Sequence, residues 1–175
     1  YGPAIDIKVK DAIGRGWQGP TIQVDFNLPE RFDVDYVGPD GLHHRVVMVH
    51  RTVLGAMERF VGCLIEHYAG DFPLWFAPIQ MRILTITDAH IDYAKKLQAQ
   101  LLARSFRVEC DTRNAKISYK IREGTLEKIP YLLVVGDKEM EGSAVAVRSR
   151  KKGNEGMILI DDFIKNAESE VREKR

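Results

Sequence analysis

Apolar and polar residues alternate along the first part of the chain, and the spacing then becomes helical. Alternation over 5–10 and 22–26 predicts two β-strands. Two further strands are predicted over 33–37 and 45–49, joined by a Gly-Pro-Asp-Gly turn. Apolar residues recur every three or four positions over 51–68, which predicts an amphipathic helix. The first part is therefore predicted to be an antiparallel sheet backed by one helix.

After a Gly- and Pro-rich connector, the pattern changes to alternating strands and helices. The predicted strands are 82–87, 106–111, 131–135 and 143–149, the predicted helices are 88–105 (with Asp88 as N-cap) and 115–127, and 158–173 is predicted to be a short strand followed by a last helix. This order implies a mostly parallel sheet with helices on its faces. A domain boundary is expected near Pro78, between residues 1–77 and an α/β domain over 78–175.

The net charge of +1 over 175 residues conceals a difference between the two parts. Residues 1–77 contain 7 Lys and Arg against 10 Asp and Glu, whereas 78–175 contain 19 against 15. The second part is thus the better candidate for binding nucleic acid. No apolar run approaches the ~18 residues of a membrane span, and the two cysteines give no disulfide framework, so a soluble cytoplasmic protein is expected. Because Tyr1 falls within an apparent strand, we expect the chain to be a fragment.

Two residues near the predicted helix 51–68 are candidates for chemistry. Arg59 lies about one turn from Gly55 and Gly62, which leaves room for a ligand, and its guanidinium presents a planar fork of donors suited to phosphate. His50 follows an apolar run, and neutral imidazole is a common zinc ligand. Taken alone, such residues are more often a solvated arginine and a hydrogen-bonded histidine at a strand end.

The segment from His50 to Phe60 resembles motif 3 of the class II aminoacyl-tRNA synthetases. The sequence over most of the chain resembles the threonyl-tRNA synthetases of that class. The similar pieces are, in order, Tyr1-Gly-Pro, Trp17-Gln18, Thr21–Phe26, Leu28–Arg31, Tyr36–Gly38, His50-Arg51, Leu74-Trp75, Ala77-Pro78, Asp111–Asn114, Tyr119–Glu123, Ile129–Tyr131 and Val134–Glu139.

The resemblance implies a fold and an activity. Residues 1–77 would be the end of a class II antiparallel-sheet catalytic domain, here incomplete, and 78–175 a βαβ-type anticodon-binding domain with a mostly parallel sheet. The longer protein would be a threonine–tRNA ligase and a homodimer, with ATP and Mg²⁺, threonine and threonine tRNA as partners and one Zn²⁺ per subunit. The chain by itself is expected to be inactive, because motif 2 of the class is missing.

The resemblance also implies roles for individual residues in the first part. Arg59 would contact an ATP phosphate, with Gln18 also at the ATP site. Tyr1 and Gln23 would line the threonine and adenylate pocket. His50 would be one of three protein ligands of a zinc ion that binds the amino group and hydroxyl of threonine, and the other two ligands would lie outside this chain.

Five residues of the second part fall at positions that, by the resemblance, read the threonine anticodon. They are Asn114, Lys116, Arg122, Glu139 and Arg148. Asn, Glu and Arg side chains can hydrogen-bond to the edges of unpaired bases. We therefore expect the anticodon sequence to be recognised by Asn114, Glu139 and Arg148. Lys116 and Arg122 are expected to hold phosphate, which positions the RNA without specifying its sequence.

Three departures from the family pattern leave alternatives open. Ala4 stands where lysine is usual, Gly19-Pro20 replaces a Cys followed by a small residue, and Ala56 stands where serine is common. A non-catalytic tRNA-binding module or synthetase paralogue is the alternative function. Another synthetase with this anticodon domain, such as the prolyl or histidyl enzyme, is a third, but His50-Arg51 argues against it.

Overall fold

The computed structural model describes residues 2–174 and divides the chain into two compact units. Unit 1 is Tyr1–Gly70 and unit 2 is Asp71–Arg175. The connector that precedes Pro78 contributes to the core of unit 2, because Leu74 is buried within it. The boundary near Pro78 stays a prediction, based on sequence.

Unit 1 is an open antiparallel sheet with one long helix. Its elements are β1 (Ala4–Lys10), β2 (Gly16–Asp25), α1 (Asn27–Arg31), β3 (Asp35–Val37), β4 (His43–Arg45), β5 (Met48–Thr52) and α2 (Met57–Tyr68). The sheet order is β1-β2-β5, and β3 and β4 form a separate hairpin. The antiparallel sheet and helix predicted from sequence are confirmed.

The helix predicted over 51–68 begins later than expected, at Met57. Arg51 and Thr52 instead pair with β2 as the end of β5, and Gly55 has a φ of +74°, which a helix cannot accommodate. The strand predicted over 45–49 is also wrong in detail, because it spans the break between β4 and β5.

The apolar side chains of unit 1 are not buried within this chain. Among residues 2–70, the buried positions are Gly19, Asp25, Pro29 and Gly38. On α2, Met57 is 56% exposed and Ile65 is 49% exposed. The amphipathic helix therefore exists, but the core that its apolar face should meet is not supplied by unit 1.

Unit 2 is a five-stranded sheet with helices on both faces. Its elements are β6 (Met81–Thr85), a 3₁₀ turn (Asp88–His90), α3 (Ile91–Ala103), β7 (Val108–Asp111), α4 (Ile117–Leu126), β8 (Tyr131–Val135), α5 (Asp137–Glu141), β9 (Ala144–Ser149), β10 (Gly153–Leu159) and α6 (Ile160–Arg172). The sheet order is β10-β9-β8-β6-β7, with β6 parallel to both β7 and β8 and with β9 antiparallel to β8 and β10. The predicted mostly parallel sheet is confirmed.

Two hydrophobic clusters cover the two faces of this sheet. The larger joins strand residues such as Met81, Ile83 and Leu133 to α3 and α6. The smaller joins Leu84 and Leu132 to the inner side of α4. Because strands that are apolar on both faces need cover on both, this arrangement explains the continuous apolar run of β8.

Local details of unit 2 differ from the sequence prediction. Asp88 does not cap a long helix. Thr87 is the cap of the 3₁₀ turn, and its backbone N–H donates to Nδ1 of the buried His90 at 3.1 Å. Helix α5 was not predicted, and residues 115–116 precede α4 rather than beginning it. No helix within residues 2–174 is long and apolar enough to cross a bilayer.

Candidate functional site

Polar side chains share one face of the unit 1 sheet. Gln23 lies directly opposite His50 on β5 and Ala4 on β1. Gln18 pairs with Lys8, and its Nε2 donates to Oδ1 of Asp6 at 3.1 Å. Gln18, Gln23 and His50 are therefore brought to the same side of the sheet.

A bulge in β2 makes this arrangement possible. Between the pairs Asp6–Thr21 and Lys8–Gln18, β2 has one residue more than β1, and Gly19-Pro20 occupies the irregular step. The extra residue restores Gln18 to the face of Gln23, since side chains otherwise alternate. Gly19-Pro20, noted as a departure from the family, thus has a structural role here.

His50 is oriented by a buried carboxylate. Its Nε2 lies 2.8 Å from Oδ2 of Asp25, whose side chain is fully buried. Burial by itself raises the pKa of Asp25, but hydrogen bonds from His50 and from the backbone N–H groups of Asn27 and Leu28 outweigh it, so the net pKa is lowered. A carboxylate paired with one ring nitrogen is how metal-binding histidines are usually held.

Arg59 lies beside the strand that contains Gln18. Its Nη1 donates to the Gln18 carbonyl oxygen at 3.3 Å, and its guanidinium is 5.1 Å from the centre of the Trp17 ring. The turn before α2 is packed closely there, because a Cβ on Gly55 would lie 2.8 Å from the Gly19 carbonyl oxygen. This close contact between the two glycines lies in the turn that leads into α2, which bears Arg59.

The remaining sequence-predicted features of unit 1 have different outcomes. Tyr1 lies outside the described residues. Ala4 faces Gln23 across the sheet, so the missing lysine would have stood beside the Gln23–His50 pair. Ala56 is the N-cap of α2 and has no side chain to cap it. Residues 2–174 contain no group of three His, Cys, Asp or Glu side chains placed to hold a metal ion.

In unit 2, three of the five predicted anticodon residues follow the carboxyl ends of parallel strands. Asn114 and Lys116 follow β7, and Glu139 lies in α5 after β8. Asn114 also lines a cavity of about 180 Å³ with Thr85, Thr87 and neighbouring residues. Ligands of open α/β sheets commonly bind at this edge.

A buried lysine that sequence reasoning missed holds this edge together. Lys120 is 1% exposed, and its Nζ donates to the carbonyl oxygens of Thr85 at 2.9 Å and Asp111 at 3.1 Å. Arg113 hydrogen-bonds to the Asp111 carboxylate, which together with Lys120 lowers the pKa of Asp111 despite its burial. A lysine inside an otherwise amphipathic helix pattern was the available signal.

Glu139 has a structural partner already. Its Oε2 accepts the N–H of Gly136 at 3.0 Å and so caps the start of α5. The start of α5 is also held by a residue from another element, because Nε2 of His90 lies 3.0 Å from Oδ1 of Asp137. A carboxylate has further acceptor capacity, so capping fixes the direction of the Glu139 side chain without exhausting it.

Arg148 lies farther from the strand ends than the other predicted residues. It is half-buried on β9, between Leu132 of β8 and Asn154 of β10. By the sheet register it shares the face of Leu132 that α4 covers. Arg122 is exposed on that same helix. The structure therefore places Arg148, α4 and the Asn114 loop on one side of unit 2.

Two family models match different parts of the chain. A model described as "tRNA synthetase class II core domain (G, H, P, S and T)" matches residues 1–68. A model described as "Anticodon binding domain" matches residues 78–170. Together with the antiparallel sheet of unit 1 and the α/β fold of unit 2, these matches define part of a class II aminoacyl-tRNA synthetase.

Individual relatives narrow the class. Threonine–tRNA ligases of Clostridium botulinum are 56–57% identical over 174 residues, which is 99% of this chain and 27% of theirs. That of Desulforamulus reducens is 55% identical over the same length. The RNA-binding domain of threonyl-tRNA synthetase from Cryptosporidium parvum Iowa II has a TM-score of 0.83 at 37% identity and covers 97% of this chain and 43% of that one. The chain belongs to the threonyl-tRNA synthetase family and spans about a quarter of the length of these ligases.

Proposed function

We propose that the longer protein containing this chain attaches threonine to its tRNA at the expense of ATP. The observation that supports this most directly is the 56% identity to threonine–tRNA ligases over 174 residues, through both units. Because the chain covers 27% of those ligases, the activity is proposed for the longer protein. Residues 1–77 would be the end of its catalytic domain and 78–175 its anticodon-binding domain.

In unit 1, four residues have proposed roles in the first step of the reaction. Arg59 would bind a phosphate of Mg²⁺-bound ATP, and its position next to Gln18 supports a shared ATP site. Gln23 would hold threonine or its adenylate, because an amide can both donate and accept, and Tyr1 is proposed for the same pocket. Fixed donors of this kind orient the carboxylate for attack and stabilise the charge that develops.

His50 is proposed as one ligand of a zinc ion. The Asp25–His50 pair fits such a ligand, since the carboxylate would fix the imidazole in its binding orientation. The other ligands would have to come from the rest of the longer protein. When bound, zinc would coordinate the amino group and hydroxyl of threonine and thereby reject valine, which an apolar pocket alone discriminates poorly.

In unit 2, anticodon recognition is proposed to divide between base contacts and phosphate contacts. Asn114, Glu139 and Arg148 would contact base edges, and Lys116 and Arg122 would contact phosphate. The common orientation of the Asn114 loop, α4 and Arg148 supports a single RNA-binding side.

Two further proposals concern the surroundings of the chain. The apolar surface of unit 1, including the outer side of α2, would be covered by the rest of the catalytic domain and by the second subunit of a homodimer. The protein would act in the cytoplasm, where threonine tRNA is used.

The test uses the longer protein and the 175-residue chain side by side. We expect the longer protein to catalyse threonine-dependent ATP–pyrophosphate exchange, to charge threonine tRNA and to contain about one zinc per subunit. The 175-residue chain should do none of these.

ATP–pyrophosphate exchange by the longer protein that depends on an amino acid other than threonine would contradict the proposal. Tight binding of tRNA without any exchange would instead support the non-catalytic module that Ala4 points to. Stoichiometric zinc in the 175-residue chain would show that the ligand set has been misread.

A further inference from the structure

Helix α4 has an inner and an outer side of different chemistry. Ile117, Lys120 and Gly124 are turned toward the sheet, where Lys120 and Gly124 are buried. The outer side bears Tyr119, which is 52% exposed, and Arg122, also exposed. About half of the Tyr119 residue remains exposed on this side of the helix, which leaves the ring available to a partner.

A network of charged side chains lies next to Tyr119 on the helix. Glu123, one turn along the helix, raises the pKa of the Tyr119 hydroxyl. Glu123 is in turn paired with Arg113, whose Nη2 is 2.6 Å from Oδ2 of Asp111. Because Arg113 balances the charge of Glu123, a negatively charged ligand can approach the ring.

One cation precedes the ring at the start of α4 and another follows it on the helix. Arg122 lies three residues after Tyr119 on α4, and residues at this spacing are neighbours on a helix surface. Lys116 is the exposed residue just before the helix, and its carbonyl oxygen accepts the N–H of Tyr119 at 2.9 Å. An exposed aromatic ring between two cations is the arrangement that binds unpaired nucleotides, with the base on the ring and phosphates on the cations.

We propose that Tyr119 is a stacking platform for an unpaired base of the anticodon loop, with Lys116 and Arg122 holding the phosphates on either side. This inference rests on the proposed binding of the anticodon by unit 2. It adds a residue whose contribution is shape and stacking rather than base-edge recognition, so it strengthens binding with little preference among bases.

The experiment compares Tyr119→Ala, Tyr119→Phe and Tyr119→Leu in the longer protein, with Leu102→Ala as the matched control. Leu102 is 50% exposed on α3, which covers the opposite face of the sheet. The measurements are KM for threonine tRNA, kcat, and threonine-dependent ATP–pyrophosphate exchange. Tyr119→Ala should raise KM for the tRNA about 5- to 150-fold, which corresponds to the roughly 1–3 kcal/mol lost when a base–aromatic stack is removed.

The pattern among variants identifies stacking. Tyr119→Phe should stay within about twofold of the parent because the ring remains, Tyr119→Leu should behave like Tyr119→Ala, and exchange should be unchanged in all of them. An unchanged KM for threonine tRNA in Tyr119→Ala overturns the inference. So does a Tyr119→Leu variant whose KM equals that of Tyr119→Phe, or an equal loss of ATP–pyrophosphate exchange activity in Tyr119→Ala. If the parent protein itself fails to distinguish threonine tRNA from an anticodon-swapped tRNA, the proposed anticodon function fails instead.

Discussion

At the scale of single residues, two cations are expected to contact different parts of the tRNA: Arg148 a base edge and Lys116 a phosphate. Arg148 projects from a strand whose neighbours on both sides fix its direction, whereas Lys116 is exposed just before α4. A rigid guanidinium suits recognition of a base edge, and a flexible ammonium suits a phosphate.

We predict that Arg148→Ala costs about 1–3 kcal/mol of binding free energy for threonine tRNA. The difference in affinity between threonine tRNA and an anticodon-swapped tRNA should become smaller. Lys116→Ala should weaken the binding of both tRNAs equally. It should also reduce by about one the slope of log affinity against log salt concentration. The measurement is a binding titration of both tRNAs at two salt concentrations, with each variant as the control for the other. Equal weakening of the two tRNAs by Arg148→Ala would make Arg148 a phosphate contact.

Gly55 is a second residue whose effect can be predicted from local geometry. It combines a φ of +74° with backbone contact, since an added Cβ would lie 2.8 Å from the Gly19 carbonyl oxygen. We predict that Gly55→Ala destabilises the longer protein by at least ~1 kcal/mol and raises KM for ATP, because α2 and Arg59 must shift.

Gly14→Ala is the matched control for that prediction. Gly14 has a similar φ of +84°, but no atom lies within 4 Å of its added Cβ, so only the conformational strain is shared. Thermal unfolding and the ATP dependence of exchange are measured for both variants. If Gly55→Ala behaves like Gly14→Ala in both assays, the contact with Gly19 does not position α2.

At the scale of elements, the ion-pair network between β7 and α4 gives unit 2 a pH dependence. Arg113 lowers the pKa of Asp111 from its ordinary 3.8 and the pKa of Glu123 from its ordinary 4.5. A carboxyl whose pKa is lowered on folding stabilises the folded state above its unfolded pKa. That stabilisation is lost as the pH falls through the lowered value.

We therefore predict that Arg113→Gln makes the chain less stable at pH 7 and reduces the loss of stability between about pH 5 and pH 2. Arg104→Gln is the control, because the Arg104 side chain forms an ion pair with Glu168 at the surface, and such pairs contribute little to stability. Urea unfolding at several pH values measures both. An unchanged pH dependence in Arg113→Gln would exclude the network as its source.

The same scale shows which elements a sequence can predict. Periodicity predicted β8 over 131–135 to the residue and α3 within a few residues, because their apolar patterns have one interpretation. The start of α2 was wrong, since Arg51 and Thr52 fit a helix pattern equally well but pair with β2 in space. Helix α5 was missed because its five residues, Asp137–Glu141, are stabilised by capping through Glu139 rather than by an apolar face.

Candidate residues were predictable to a different degree from the elements. The resemblance identified Gln18, Gln23 and His50, which the β2 bulge then places on one face. Lys120 and Asp25 were not identified as site-forming, because their roles depend on burial and on partners 35 and 25 residues away in the chain. Long-range polar contacts of this kind have no local pattern.

At the scale of the whole molecule, the two units differ in how they are stabilised. Every buried Ala, Val, Leu, Ile, Met or Phe among residues 2–174 lies in unit 2. Unit 1 instead leaves apolar side chains of β1, β5 and α2 exposed, including Ile5 at 63% and Val49 at 63%. Since burial of apolar surface is the dominant favourable term in folding, unit 2 has the means to fold alone and unit 1 does not.

We predict that residues 71–175 unfold in urea in one cooperative transition, and that residues 1–70 show none. In the longer protein, where the rest of the catalytic domain would cover unit 1, the β2 amides from Thr21 to Asp25 should be protected from hydrogen exchange. In the isolated 175-residue chain those amides should exchange at least tenfold faster, while the amides of β6 and β8 stay protected, because local opening costs less where few apolar contacts are broken. The β6 and β8 amides are the internal control in both samples. Equal protection of β2 in the two samples would mean that unit 1 is stable by itself, and that its exposed apolar surface serves a purpose other than completing a catalytic domain.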